Sequence, residues 1–130
     1  MIYCLHITAA PYSHQANLSA LNFARAALEK GHNIFRVFFS GDGVHIANRF
    51  SVPPQDDINL REEWASLALH YDVELVVCIS ACLRRGLVNE SEAARYETGG
   101  ANVGSPFIIS GLGQLAEALV ESDRLVTFGA

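Results

Sequence analysis

The sequence has few of the features that mark secreted, membrane-spanning or nucleic-acid-binding proteins. Its three cysteines are an odd number, which does not suit a disulfide framework. Its longest apolar runs are far shorter than the roughly 20 residues of a membrane-spanning helix, and no basic segment precedes the apolar N-terminus, as a signal peptide would require. Nine basic against 14 acidic residues give a net charge of −5, which disfavours direct binding to nucleic acid. We therefore expect a cytoplasmic protein without membrane or direct nucleic-acid partners.

The composition is that of a globular protein. Half of the 130 residues are hydrophobic and 18% are charged, which suits a single domain over residues 1–130 with one sizeable core. The five histidines are scattered, and two nearby cysteines without a second pair of ligands make a poor zinc site. We expect neither a metal nor another cofactor.

Short apolar runs alternate with helical periodicity along the chain. Strands are predicted over 2–8, 33–39, 73–79, 106–111 and 124–128, and helices over 14–31, 58–71, 80–86, 90–96 and from 110 or 111 to 123. Parallel strands joined by right-handed crossover helices follow from this alternation. The predicted fold is α/β with three layers: a mostly parallel sheet of about five strands, flavodoxin-like or close to it.

Two local details follow from the pattern. Asp42, in the turn "SGDG", is a plausible N-cap for a short helix that extends to about Arg49. Leu60, Trp64, Leu67 and Leu69 have helical spacing within 58–71. "SVPPQDD" is a loop because its two prolines interrupt regular structure.

The stretch "LVVCISACLRRG" carries two of the three cysteines. Cys78 is at the carboxyl end of a predicted strand and just before a short helix, where open parallel sheets place their chemistry. Unpaired amides and the helix dipole favour a thiolate there. Side chains that follow the first two strands would share this edge and form a polar set around Cys78: Tyr12, His14, Gln15, Ser40 and Asp42.

Packing competes with function for each cysteine, because free cysteine is often buried. Cys4 lies among apolar residues within a strand and is best explained by packing. For Cys78 both interpretations stand from position alone. Cys82, four residues later, is about 5–6 Å from Cys78 between Cβ atoms if the segment is helical, which is longer than a disulfide needs; a resolving role would require the helix to loosen.

Arg84 and Arg85 also have two interpretations. They precede Gly86 in the last helical turn, where cations complement the helix C-terminus. Alternatively, they dock an acidic partner or an anion. Cys78 and Arg84 also fit C-x5-R, a spacing found in cysteine-nucleophile phosphatases and arsenate reductases. The intervening "ISACL" has none of the glycines usual in such oxyanion-binding loops, so the spacing alone is a weak signal.

Several stretches resemble the DsrE/TusD sulfur-relay family. They are "PYSHQ", "ALEKGH", "RVFFSGDGV", "PPQDD", "VVCISACLRRGLVNE" and "SGLGQLAEALVESDRLVTFG", which together cover nearly the whole chain. The cysteine stretch and "SGLGQLAEA" are the most specific of them. "GHNIFRVFF" and "PPQDD" are more similar to the Dsr branch than to the Tus branch.

The resemblance implies a flavodoxin-like sulfurtransferase subunit without a cofactor. Cys78 would hold sulfane sulfur as a persulfide and exchange it with a DsrC/TusE-like carrier that has a C-terminal cysteine, after receiving it from a sulfurtransferase donor. Homologous DsrF/DsrH-like or TusC/TusB-like subunits would complete a heterohexamer that serves dissimilatory sulfur oxidation or tRNA 2-thiouridine synthesis. Cys82 departs from the small apolar residue common at its position in the family. The candidate auxiliary or partner-docking residues, taken from their positions along the chain, are Cys82, Arg84, Arg85, Tyr12, Gln15 and Asp42.

Two other functions stay open beside this one. The first is a phosphatase or arsenate reductase that uses Cys78 and Arg84. The second is a non-catalytic assembly subunit whose cysteines only pack.

Overall fold

Five parallel strands form one sheet in the computed structural model, which describes all 130 residues, Met1–Ala130. The strands are β1 (Ile2–Ile7), β2 (Asn33–Phe39), β3 (Glu74–Cys78), β4 (Phe107–Ser110) and β5 (Arg124–Phe128), in the spatial order β4-β3-β2-β1-β5. The helices are α1 (Ala16–Glu29), α2 (Leu60–Tyr71), α3 (Ile79–Arg84), α4 (Glu90–Tyr96) and α5 (Gly113–Glu121), with a 3₁₀ helix at Gly41–Ala47. None of these helices combines the length and the apolar character that crossing a membrane would take.

The connections explain why helices cover both faces of the sheet. From β1 to β4 each strand lies beside the previous one, whereas β5 returns to the opposite edge, next to β1. Right-handed crossovers in opposite directions place their helices on opposite faces. Accordingly, Trp64 of α2 packs edge-on against Phe39, whereas Glu117 of α5 pairs with Arg36, on the other side of β2.

The predicted three-layer fold is thus confirmed. The strand order differs from the 2-1-3-4-5 order of flavodoxin itself.

The core lies mainly between the sheet and the α1–α2 layer. One contiguous cluster of 26 buried residues includes the largest side chains of β1, β2 and β3 together with Trp64. Leu5, Phe39 and Leu75 have no exposed surface. Buried strands of this kind read as nearly continuous apolar runs, which is why β1, β2 and β3 were recognisable in the sequence.

The helix that the spacing over 58–71 predicts is present as α2, and of the four residues that mark the spacing only Leu69 is exposed, at 76%, on the outer side of α2. One local prediction was wrong. Asp42 does not cap a helix: the 3₁₀ segment starts after Ser40 and places Asp42 within its first turn.

Gly43 fixes the position of the 3₁₀ helix against the end of β1. A Cβ atom on Gly43 would lie 2.4 Å from the carbonyl oxygen of Ile7, so only glycine permits this approach. The Gly43 amide donates to the carbonyl of Ser40 at 2.9 Å. These contacts hold the segment that carries Asp42 at the carboxyl edge of the sheet.

Candidate active site at Cys78

Cys78 ends β3 and is the N-cap residue of α3. Its backbone is extended (φ −65°, ψ 125°) and pairs in register with Ser110 of β4. Its Sγ lies 3.4 Å from the hydroxyl of Ser80, two residues further along the chain. Cys78 therefore lies at a strand-to-helix junction, as the sequence predicts.

The Cys78 side chain is enclosed, with 5% of its surface exposed. It lines none of the five principal surface cavities of the protein. Cys78 is therefore not part of an open cavity lined by polar groups. A reaction partner has to reach the sulfur through this nearly closed edge.

Cys82 lies one turn further along α3 and is fully buried. The pKa of the Cys82 thiol is raised to about 12, mainly by desolvation and to a smaller extent by the neighbouring Cys78, while Arg85 opposes the shift. All three cysteines are free. Cys4 is also fully buried, and burial raises the pKa of its thiol to about 11, in keeping with the packing role predicted for it.

Arg85 ties α3 to the 3₁₀ helix. Its Nε donates to Asp42 Oδ1 at 2.9 Å, and its Nη1 donates to the carbonyl of Ala81 at 3.1 Å. Leu87 and Arg85 both donate their amides to the carbonyl of Cys82, which closes the helix before the positive-φ Gly86. Asp42 and Arg85, two of the predicted auxiliary residues, thus form an ion pair at the C-terminal end of α3, the helix that carries Cys82.

Arg84 points away from this cluster. It is exposed and forms none of the six ion pairs of the protein. It lines a surface cavity of about 380 Å³ with five other residues: Leu83, Gly86, Val88, Tyr96 and Thr98. Residues 79–84 are helical, so their amides do not form the oxyanion-binding loop that C-x5-R chemistry requires.

Tyr12 and Gln15 belong to another part of the same sheet edge. The Tyr12 hydroxyl donates to the carbonyl of Ile58 at 2.9 Å and accepts the Leu60 amide at 3.0 Å, so it orders the entry to α2. Gln15 is exposed at the N-terminus of α1 and makes no capping hydrogen bond with its side chain. Neither side chain is hydrogen bonded to Cys78, Arg84 or Arg85.

The structure adds one residue that sequence reasoning missed. His6 Nε2 lies 2.7 Å from the hydroxyl of Ser40 on the adjacent strand, and burial lowers the pKa of His6. Strand alternation places His6 on the same face as Cys78, but this relation needs the strand order, which the sequence did not reveal.

Comparison with known proteins agrees with this architecture. Residues 1–128 match the DsrE/DsrF-like family. The chain is 53% identical to the DsrE protein of Allochromatium vinosum over 99% of both chains, and 47% identical to the sulfurtransferase TusD of Serratia proteamaculans over 97% of this chain and 98% of that one. The crystal structure of the ychN protein from Escherichia coli superposes with a TM-score of 0.76 over 98% of this chain and 100% of that one; at 20% identity this likeness shows the fold alone.

The match over nearly the whole chain, at identities this high, establishes what the cysteine stretch suggested. The chain belongs to the DsrE/DsrF-like family and, like its named relatives, is a sulfurtransferase.

Proposed function

We propose that Cys78 carries sulfane sulfur as a persulfide and exchanges it with a partner protein. The observation that carries the proposal is the place of Cys78 in a sulfurtransferase fold. It is the one cysteine at the carboxyl edge of the sheet with a polar neighbour, Ser80, at 3.4 Å. Cys4 and Cys82 are fully buried and have raised thiol pKa values.

The transfer needs no oxidant or reductant. The Cys78 thiolate attacks the outer sulfur of a donor persulfide, so that a Cys78 S–S bond forms, the donor S–S bond breaks, and the donor leaves as a thiolate. A second thiolate, on the acceptor, then attacks the outer sulfur on Cys78 and releases the Cys78 thiolate. The S–S bond of about 2.05 Å extends the reactive atom beyond Sγ, which favours transfer from a thiol that is 5% exposed.

Two surfaces of the protein fit protein partners. Arg84 and the cavity beside it offer an unpaired cation and apolar wall atoms, which suit an acidic, partly apolar chain end such as that of a DsrC/TusE-like carrier. On the α5 side of the molecule, β4, β5, α5 and the N-cap residue of α5 expose large apolar side chains: Ile108, Leu112, Leu119, Val120 and Leu125. We assign this face to homologous subunits of a hetero-oligomer, because exposed apolar clusters of this kind mark interfaces.

The carrier protein that accepts the sulfur decides whether the protein serves sulfur oxidation or tRNA 2-thiouridine synthesis. The identity of 53% to the DsrE protein, against 47% to TusD of Serratia proteamaculans, favours sulfur oxidation over tRNA 2-thiouridine synthesis.

Sulfur transfer in a single turnover tests the proposal. Protein loaded with inorganic polysulfide and freed of excess donor is mixed with an acceptor thiol, and the released sulfur is measured. Wild type and Cys82→Ala are expected to transfer about one sulfur per chain, and Cys78→Ser none. Transfer by Cys78→Ser at the wild-type level would refute the role of Cys78.

A further inference from the structure

Cys78 lies between serine residues on both neighbouring strands. Side chains alternate along a strand, and Arg36 meets Glu117 of α5, so the even-numbered residues of β2 face α5. Phe39 pairs with Val77, which places Ser40 opposite Cys78, and Cys78 itself pairs with Ser110. The carboxyl edge of this face therefore carries a row of hydroxyl groups on either side of one sulfur.

One of these hydroxyls is held by a histidine. His6, on the far side of β2 from Cys78, lies within 2.7 Å of Ser40 Oγ through Nε2. Its ring packs edge-on against Phe38, with ring centroids 5.9 Å apart. Burial lowers the pKa of His6, which keeps the imidazole neutral near pH 7. A neutral ring that donates from Nε2 leaves the Ser40 proton free to be donated to another acceptor.

Other charges on this face are already paired or distant. Arg36 is neutralised by Glu74 and Glu117, and the even-numbered positions of β4 and the odd-numbered positions of β5 on this face carry no titratable side chain. On the α5 side of the sheet, the titratable or charged groups around His6 and Cys78 are Cys4, Arg36, Glu74 and Glu117. Around α3 the corresponding groups are Asp42, Cys82 and Arg85.

We propose that His6 is a positioning residue: it orients the Ser40 hydroxyl so that Ser40, together with Ser80, donates hydrogen bonds to the sulfur anion on Cys78 during transfer. This inference rests on the proposed persulfide chemistry. Ser40 Oγ is bonded to His6 and not to Cys78 Sγ in the resting thiol. Neighbouring strands are about 4.8 Å apart, and the outer sulfur adds about 2.05 Å, which is the reach that brings a persulfide to the Ser40 hydroxyl.

The pH dependence of the alkylation of persulfide-loaded Cys78, prepared with inorganic polysulfide and freed of excess donor, tests this arrangement. Ser40→Ala and His6→Phe, which keeps an aromatic ring against Phe38, are each expected to move the midpoint of the pH–rate profile upward by about one to two pH units, the size of one lost hydrogen bond to a charged group. The double variant is expected to move it no further than either single variant, because both act through one contact.

Two variants separate positioning from general damage. Ser40→Thr keeps a hydroxyl and is expected to restore the wild-type midpoint. Thr127→Val removes a hydroxyl from β5 at the register partner of His6, away from Cys78, and is expected to leave the midpoint unchanged. An unchanged midpoint in both Ser40→Ala and His6→Phe would overturn the proposal, as would an equal shift in Thr127→Val.

The lifetime of the loaded persulfide is measured on the same variants. Ser40→Ala and His6→Phe are expected to lose the bound sulfur to a free thiol at an altered rate, whereas Thr127→Val behaves as wild type. If wild-type Cys78 takes up no sulfur at all, the persulfide function itself fails. If Cys78 takes up sulfur but neither Ser40→Ala nor His6→Phe moves the midpoint, only the role of His6 and Ser40 fails.

Discussion

Cys82 is expected to be inert toward thiol reagents in the folded protein, although it lies only one turn from Cys78. Desolvation raises the pKa of its thiol from 9.0 to about 12. This rise of about three pKa units lowers the fraction of thiolate by about 1000-fold at any pH well below 9. The thiolate is the form that reacts with thiol reagents. Complete burial of the side chain reduces the rate further.

The assay is a time course with iodoacetamide at pH 8, followed by peptide mapping of the three cysteines. Cys78 is expected to be modified first, and Cys82 at least about 1000-fold more slowly than in protein unfolded in urea. The unfolded sample serves as the control in which all three thiols react alike. Modification of native Cys82 within about tenfold of its unfolded rate would refute this reasoning, and would restore Cys82 as a candidate resolving thiol.

Two further predictions concern stability. Gly43→Ala is expected to destabilise the protein by about 1–3 kcal/mol, because its Cβ atom would lie 2.4 Å from the carbonyl oxygen of Ile7. Urea denaturation measures the effect, with Gly104→Ala as the control, since a Cβ atom there meets nothing within 4 Å. Equal denaturation midpoints for the two variants would contradict the packing argument. The second prediction concerns Cys4, whose thiol has a pKa of about 11 in the folded state against 9.0 in the unfolded state. The folded state thus binds more protons above pH 9, and stability falls as pH rises from 9 to 11. Cys4→Ala is expected to flatten that fall, and an identical slope in both proteins would count against the burial effect.

The strands and the junction at Cys78 could be predicted from the sequence because they depend on local patterns. The apolar run of β3 gives a buried strand, and Gly86 gives the end of α3, where its φ is +73°. Helical spacing alone does not say which side of α2 meets the core, and Leu69 lies on the exposed side. The N-cap assigned to Asp42 was wrong because an ion pair with Arg85, 43 residues away, takes its carboxylate.

The surroundings of Cys78 could be predicted only in part, because they depend on the order of strands. Ser40 belongs to the predicted polar set, whereas the place of Ser110 beside Cys78 follows only from β4 being a neighbour of β3. Tyr12 and Gln15 were assigned to the same polar set on the ground that all strand ends share one edge. The structure separates them from Cys78, because Tyr12 is hydrogen bonded to the chain before α2.

The location of added sulfur tests the central claim most directly. Native protein is incubated with inorganic polysulfide, the unreacted thiols are blocked, and each cysteine peptide is weighed by mass spectrometry. A gain of about 32 Da, the mass of one sulfur atom in a persulfide, is expected on the peptide of Cys78, absent from those of Cys4 and Cys82 and lost on reduction. Added sulfur on Cys4 or Cys82 with Cys78 unmodified would contradict the account.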